Sequence, residues 1–177
     1  MESSKRLNRE LVQKGTIIDI YKDTIQTPEN KVVYYDFIGH KGAAAVVAVT
    51  NDNKILMVKQ YRNAIDAFTL EIPAGGKDGI DEHTKTCAAR ELEEETGYKS
   101  YNLEFLIGIN TSVAFCNEKI DIYVAKDLIP SSQNLDEDEF IDVKAYFIEE
   151  LIEFIFSGEI TDAKTIAGLL AYKEKYK

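Results

Sequence analysis

The sequence predicts an α+β fold, a sandwich in which helices cover a mixed β-sheet. The first observation is that strand-like patterns outnumber helical ones along the chain, in which only three segments have helical periodicity. The second is size, because 177 residues with 45% hydrophobic side chains are enough for a full core. The third is continuity, since the chain contains no internal repeat, low-complexity tract or flexible linker.

The N-terminal pattern predicts a β-hairpin. Residues 1–13 are charged and their structure is ambiguous. After them, alternating apolar and polar residues indicate a strand at 15–25, and a turn at 27–30 leads into a second strand at 31–38. We therefore divide the chain into an N-terminal strand and hairpin segment, residues 1–40, and a main domain, residues 41–177.

Further strands are predicted from apolar runs bounded by turn residues, at 43–50, 54–60, 67–72, 102–110, 118–125 and 142–147. Residues 127–139 form an irregular, acidic stretch. Two helices follow, one at 148–157 ended by Gly158 and one at 162–175 with an apolar stripe that includes Ile166, Leu169 and Leu170.

Between these strands, residues 75–98 predict a glycine turn followed by a helix. Asp81 is the expected N-cap and Glu82 an acidic residue of the first turn, while Gly97 suits the left-handed position after the last turn.

Three carboxylates share one side of this predicted helix. Glu91 and Glu95 are four residues apart and Glu94 is three from Glu91, so the side chains project into one neighbourhood. Like charges at this spacing destabilise a helix by roughly 0.2–0.5 kcal/mol per pair. Crowded oxygen ligands suit a hard divalent cation, Mg²⁺ or Mn²⁺, which would remove the repulsion.

The spacing of this segment resembles the Nudix box, in which Gly, five residues, Glu and seven residues precede Arg-Glu-apolar-any-Glu-Glu-any-Gly-apolar. The matching residues are Gly76, Glu82, Arg90, Glu91, Leu92, Glu94, Glu95, Gly97 and Tyr98. The resemblance implies a Nudix-type α/β/α sandwich with a mixed central sheet and an N-terminal β-hairpin. Metal ions held by Glu91, Glu94 and Glu95, with the Gly75 carbonyl as a candidate ligand, would neutralise phosphate charge and acidify a water. Gly76, Glu82, Arg90 and Gly97 are expected to have structural roles in the motif.

The net charge of −10 disfavours a nucleic-acid partner, because no basic stretch is available to replace the counterions of a phosphate backbone. Cys87 and Cys116 have no metal-like or disulfide-like spacing, which favours reduced structural thiols. No apolar run approaches the length of a membrane span, and the polar start does not resemble a secretion signal. We therefore expect a cytoplasmic protein with no membrane partner.

Outside the box, the resemblance extends to the ADP-ribose pyrophosphatase branch, and it covers most of the chain. It is carried by residues 60–62 (Gln-Tyr-Arg), 71–75 (Glu-Ile-Pro-Ala-Gly), 135–140 (Leu-Asp-Glu-Asp-Glu-Phe) and 162–165 (Asp-Ala-Lys-Thr). The resemblance implies that a glutamate of the acidic loop, residues 136–139, reaches the active site when bound substrate closes that site. By position, Glu137 is the expected general base and Glu139 an extra metal ligand, and the two roles could be exchanged. Catalysis is assigned to Glu137, Glu95 and Glu91, and Arg62 is the expected phosphate contact.

Two departures leave the substrate open. Where the branch usually has Ser-Pro-Gly after the box, this chain has Ser112-Val113-Ala114, and where it often has Arg-Glu it has Tyr35-Asp36. Tyr35 and Asp36 are nevertheless the expected substrate-binding pair, since Tyr35 could stack on a base or ribose.

The resemblance implies Mg²⁺-dependent hydrolysis of a nucleoside diphosphate derivative, with ADP-ribose yielding AMP and ribose 5-phosphate. The alternatives are another nucleotide sugar or dinucleotide, such as GDP-mannose or FAD, and a non-catalytic sensor that binds ADP-ribose. The resemblance also implies a homodimer in which the N-terminal strands cross to the partner.

Overall fold

The computed structural model describes residues 3–137 and 139–176, which divide into two compact units. The first unit runs to Gly42 and takes in Asn110–Lys119, and the second comprises Ala43–Ile109 and the chain from Ile120 onward.

The first unit is built on an antiparallel three-stranded sheet of order β1-β2-β3, with strands β1 (Lys5–Lys14), β2 (Asp19–Gln26) and β3 (Val32–Gly39). The hairpin predicted from the sequence is β2–β3. Strand β1 lies where the sequence was ambiguous, because register shifts after Arg6 and after Leu11 break the alternation that reveals a strand. The strand predicted at 15–25 was placed too early, because residues 15–18 connect β1 to β2, which begins at Asp19.

An ion pair and a backbone bridge hold this first unit together. The Arg9 guanidinium donates to both carboxylate oxygens of Asp23 at 2.6 Å and lies 3.4 Å from the centre of the Phe37 ring. The segment Asn110–Lys119 joins the sheet where the Ile38 N–H donates to the Phe115 carbonyl at 2.7 Å.

The remaining strands are β4 (Ala43–Val49), β5 (Ile55–Arg62), β6 (Ala67–Glu71), β7 (Ala74–Gly76), β8 (Tyr98–Lys99), β9 (Asn102–Asn110), β10 (Lys119–Lys126), β11 (Ile129–Pro130) and β12 (Ile141–Tyr146). The helices are α1 (Thr84–Thr96), α2 (Ile148–Ser157) and α3 (Ala163–Tyr176). The main sheet has the order β12-β5-β4-β10-β9, with β6 beside β5 and β7 beside β4. Strand β10 runs parallel to β4, whereas β5 and β7 run antiparallel to it, so the sheet is mixed as predicted.

Alternate residues of β4 show why the second unit is a three-layer sandwich. Every residue of this strand is buried. The odd-numbered residues, such as Val47, pack in one core with Leu151 of α2 and Leu169 of α3, whereas the even-numbered ones, such as Val46, pack with Leu92 of α1. Because successive side chains of a strand point to opposite faces, helices cover both faces of the sheet. This confirms the predicted α/β/α arrangement.

Two details of the predicted helices were wrong. Helix α1 begins at Thr84, with His83 rather than Asp81 at the N-cap, so Glu82 is not in the first turn. The reason is that the Glu82 carboxylate accepts a hydrogen bond from the Asp78 N–H at 2.8 Å and closes a loop before the helix. In α3, Leu170 lies on the exposed side rather than in the core.

No helix in residues 3–137 and 139–176 has the length and apolar character that crossing a bilayer requires.

Gly97 gives a test of how α1 ends. Its φ of +70° lies in the left-handed region, and a β-carbon there would lie 3.1 Å from the Gln133 nitrogen. We expect Gly97→Ala to lower the free energy of unfolding by about 1–2 kcal/mol, measured by urea denaturation, because an L side chain is strained at this φ. Gly79→Ala is the matched control, since a β-carbon there meets nothing within 4 Å and φ is not positive. Equal effects of the two substitutions would show that backbone strain at Gly97 is not the cause.

Candidate active site

Helix α1 delivers two carboxylates to the edge of the buried core. Cys87, Ala88 and Leu92 are fully buried and fix one face of the helix on the sheet. Glu91 and Glu95 are three and seven residues beyond Ala88, so they follow the flank of that apolar face, and they are only 9% and 3% exposed. The helix therefore holds two acidic side chains where water can solvate them only poorly.

Glu95 is the more deeply buried of the two. Its Oε2 accepts a hydrogen bond from the Ala74 N–H at 2.9 Å, which ties α1 to β7. Burial, together with the charges of Glu91 and Glu139, raises the pKa of Glu95 to about 8, although the hydrogen bond from Ala74 opposes this shift. The charged form of Glu95 is thus poorly compensated by the surrounding protein groups.

Glu91 lies directly against the turn that precedes the helix. A β-carbon at Gly75 would overlap the Glu91 carboxylate, so only glycine leaves room for this side chain. Burial raises the pKa of Glu91 to about 7, against the opposing effect of the nearby Arg90 guanidinium. The Gly75 carbonyl, a predicted metal ligand, accepts a weak hydrogen bond from the Cys87 thiol at 3.5 Å.

Arg90 connects the helix carboxylates to the preceding turn. Its Nη1 donates to Glu91 at 2.6 Å and to Glu94 at 2.9 Å, and its Nη2 donates to the Gly76 carbonyl at 2.9 Å. Its Nε donates to Glu82 at 3.4 Å. One guanidinium thereby fixes the rotamers of the surrounding carboxylates.

The acidic loop is attached to the C-terminal end of α1. The last carbonyls of a helix lack partners within it, and here Ser131, Gln133 and Asn134 donate to the carbonyls of Gly97, Glu95 and Glu94 at 2.7, 2.7 and 2.9 Å. These bonds bring the start of the loop next to the carboxylates.

A cleft of about 290 Å³ lies between the helix, the glycine turn and this loop. It is lined by Gly75, Gly76, Asp78, Arg90, Glu91, Glu94, Asn134, Asp136 and Glu139. Glu139 thus lies at the cleft with the helix carboxylates, whereas Glu137 is exposed on a turn and is not among the lining residues.

The residues at the cleft suit a divalent cation by their chemistry. Within residues 3–137 and 139–176, no three carboxylate, histidine or cysteine side chains converge as a bound ion would require, and Arg90 instead bonds Glu91 and Glu94. However, the donors are all oxygens, the glycine at position 75 leaves space beside a carboxylate, and Glu91 and Glu95 have raised pKa values through burial. A hard cation supplies the positive charge that such a site lacks.

Arg62, the predicted phosphate contact, is bound to a buried carboxylate. Its Nε and Nη2 each donate to Glu71 at 2.7 Å, and Lys164 also donates to this carboxylate. These cations hold the pKa of Glu71 at about 2 despite its burial. The sequence reasoning gave Glu71 and Lys164 no role, although both lie in segments that carry the family resemblance.

Tyr35 and Asp36 belong to the first unit, where both are exposed on β3. They line a cavity of about 330 Å³ with other residues of that unit, including Asp23, Val113 and Phe115. Val113 replaces the proline of the related branch and is 82% exposed.

Known proteins are similar to this chain in sequence and in fold. A family model described as NUDIX domain matches residues 39–169. A methanol dehydrogenase activator of Bacillus methanolicus is 38% identical over 167 residues, which cover 93% of this chain and 90% of that protein. An ADP-ribose pyrophosphatase of Bacillus subtilis (strain 168) is 37% identical over 163 residues, 91% of this chain and 88% of that protein. The crystal structure of an ADP compounds hydrolase has the same fold, with a TM-score of 0.86, 21% identity and coverage of 98% of this chain and 94% of the other.

The space at Gly75 can be tested with metal alone. We expect Gly75→Ala to displace the Glu91 carboxylate and raise the dissociation constant for Mn²⁺ about tenfold or more, measured by electron paramagnetic resonance titration. Gly76→Ala is the matched control and should leave Mn²⁺ affinity unchanged, because a β-carbon there meets nothing within 4 Å. Unaltered affinity in a folded Gly75→Ala protein would remove Glu91 from the metal site.

Proposed function

The chain belongs to the Nudix family, and we propose that it hydrolyses a nucleoside diphosphate derivative, with ADP-ribose as the first candidate and AMP and ribose 5-phosphate as products. It is a Nudix hydrolase. The observation that carries the proposal is the pair of buried carboxylates on α1, of which Glu91 lies against Gly75 and lines the cleft, and Glu95 accepts from the Ala74 N–H. The Bacillus subtilis relative, named an ADP-ribose pyrophosphatase, supports this choice of substrate.

Nudix hydrolases need a divalent metal ion, and we propose Mg²⁺, with Mn²⁺ as a substitute. Its ligands would come from Glu91, Glu94, Glu95, Glu139 and the carbonyl of Gly75. When bound, the metal supplies charge neutralisation at the diphosphate and increases the acidity of water. Arg90 restrains Glu91 and Glu94 through its hydrogen bonds, so these carboxylates would have to turn from the guanidinium towards a shared ion.

For the proton transfer we propose Glu137 as the general base, with Glu139 as the alternative. Either residue would take a proton from the water that attacks phosphorus. Both belong to the acidic loop, and the residues just before this loop are hydrogen-bonded to the end of α1. The position of Glu139 at the cleft supports its role as a metal ligand. Glu137 would have to enter the cleft through movement of the loop.

Substrate contacts are proposed for Arg62, Tyr35 and Asp36. The Nε and Nη2 atoms of Arg62 bind Glu71, so Nη1 is the nitrogen that we assign to a phosphate oxygen. Tyr35 would stack on the base or ribose, and its exposed ring is available for such stacking.

We further propose a cytoplasmic homodimer in which residues 1–40 provide strands that cross to the partner. Apolar side chains on the strands of the first unit support this proposal, since Leu11, Val12 and Tyr34 are 49%, 62% and 64% exposed. The free thiols of Cys87 and Cys116 fit a reducing compartment.

A second candidate function is activation of methanol dehydrogenase, which is what the Bacillus methanolicus relative is named for. In a non-catalytic form of this role, the chain would be a sensor that binds ADP-ribose without cleaving it and regulates a partner. Adding the purified chain and a Glu95→Gln variant to a methanol dehydrogenase assay distinguishes these roles, because only a catalytic activator loses its effect with Glu95.

Hydrolysis of ADP-ribose with Mg²⁺ tests the first proposal. The wild-type chain should release AMP and ribose 5-phosphate, resolved by anion-exchange chromatography. Glu95→Gln should lower kcat by at least about a hundredfold, because it removes one charged ligand while keeping an acceptor for the Ala74 N–H. Circular dichroism should show an intact fold. A Glu95→Gln protein with nearly normal turnover would exclude Glu95 from the reaction, and a wild-type chain that binds ADP-ribose without products would favour the sensor.

The two loop glutamates are tested as a matched pair. Glu137→Gln should lower kcat by about 10²–10⁴-fold and leave Mn²⁺ affinity unchanged, as expected for a base. Glu139→Gln should instead weaken Mn²⁺ binding, measured by the same titration. The reverse result would exchange the two roles.

A further inference from the structure

The backbone segment from Ile72 to Gly75 is held by three elements of the second unit, α3, β4 and α1. The Ile72 N–H donates to the Thr165 hydroxyl at 3.0 Å, and the Pro73 carbonyl accepts from the Val46 N–H at 2.9 Å. The Ala74 N–H donates to Glu95, and Gly75 contacts Glu91. Two consecutive positions of the segment thus contact the proposed metal ligands, and the opposite end depends on Thr165.

Thr165 is fully buried in the first turn of α3, and its hydroxyl has a defined orientation. It donates to Asp162 Oδ2 at 2.6 Å, and the Thr165 N–H donates to the same oxygen at 2.9 Å. Because the hydroxyl hydrogen is directed to Asp162, a lone pair of the oxygen is available to the Ile72 N–H.

Charges around Asp162 stabilise this orientation. Lys164 donates to Asp162 at 3.0 Å and also to the buried Glu71, which binds Arg62 on its other side. Two carboxylates and two cations therefore alternate along one hydrogen-bonded path from β5 through β6 to α3.

Close packing leaves α3 little freedom to move relative to Ile72. A β-carbon at Gly168 would lie 3.0 Å from Ile72 Cδ1, so the helix backbone approaches this side chain directly. A displacement of the first turn of α3 would consequently be transmitted to Ile72.

We propose that Thr165 is a positioning residue of the metal site, whose hydroxyl fixes the Ile72 amide and so places Ala74 and Gly75 against Glu95 and Glu91. Asp162 and Lys164 orient the hydroxyl. The effect on turnover rests on the proposed function, whereas the effect on metal affinity and on the backbone does not.

The experiment compares Thr165→Val, which keeps the shape of the side chain but removes the hydroxyl, with Thr165→Ser, which keeps the hydroxyl. Three quantities are measured on the full chain: the dissociation constant for Mn²⁺ alone, the amide exchange rates of Ile72 and Ala74 by nuclear magnetic resonance, and the free energy of unfolding. Thr165→Val should raise the Mn²⁺ dissociation constant about tenfold and speed exchange at both amides, as expected for loss of a group that supports a ligand. Thr165→Ser should remain within about twofold of wild type in Mn²⁺ affinity.

A Thr165→Val protein that is less stable but binds Mn²⁺ as tightly as wild type would overturn the proposal, because the role would then be only structural. Equal losses of Mn²⁺ affinity in both variants would also overturn it, since the hydroxyl could not be the cause. If Thr165→Val does not fold, Asp162→Ala is the second variant. Asp162 is partly exposed, and its substitution removes the carboxylate that orients the Thr165 hydroxyl, so this variant must show the same loss of Mn²⁺ affinity. Absence of ADP-ribose turnover in the wild type would refute the proposed function and leave the Mn²⁺ titration decisive for Thr165.

Discussion

The burial of two carboxylates against one short stretch of backbone is the constraint on which this structure depends. Glu91 and Glu95 occupy positions where the fold excludes water. Arg90 donates a hydrogen bond to Glu91, whereas the hydrogen bond to Glu95 comes from the Ala74 N–H. The raised pKa values of both groups mean that burial disfavours their charged forms. A helix selected for stability alone would not hold these side chains here. The apolar contacts of Cys87, Ala88 and Leu92 in the core stabilise the helix in this position.

The end of α1 extends this constraint to the acidic loop. Gly97 ends the helix in a left-handed conformation, and the carbonyls left without helical partners accept hydrogen bonds from the residues that precede the loop. A helix terminus that requires capping therefore also determines where the loop starts. Glu139 and Glu91 are far apart in the sequence but line the same cleft. The hydrogen bonds that bring their two segments together go to the carbonyls at the end of α1 and do not involve the two carboxylates.

The sequence was sufficient for most of the fold because period-two and helical patterns are local. The β4 run of Ala and Val and the helix ended by Gly158 fall where predicted. Strand β1 was not predicted because its register shifts remove the alternation of apolar and polar residues. The start of α1 was predicted too early because the Glu82 carboxylate accepts a hydrogen bond from the Asp78 amide in the preceding loop. Both failures involve interactions between residues that a linear pattern does not reveal.

The same distinction applies to the site. Glu91, Glu94 and Glu95 could be proposed from spacing, since helical geometry places them together. Glu71 and Lys164 could not, because their association joins positions 93 residues apart and depends on how α3 packs on β6. The hydrogen bond of Thr165 is equally non-local, as its hydroxyl accepts from an amide 93 positions earlier in the chain.

Electrostatics then determines the order in which the cleft can be filled. The protein has a net charge of −10, and the cations nearest the helix carboxylates are already engaged, Arg90 with Glu91 and Glu94, and Arg62 and Lys164 with Glu71. A diphosphate arriving first would meet a field of its own sign. At the proposed metal site, divalent ions that enter before the substrate or together with it would supply the missing positive charge. We therefore expect the affinity for substrate to depend on metal occupancy, and the backbone from Ile72 to Gly75 is our proposed link between that occupancy and the packing of α3.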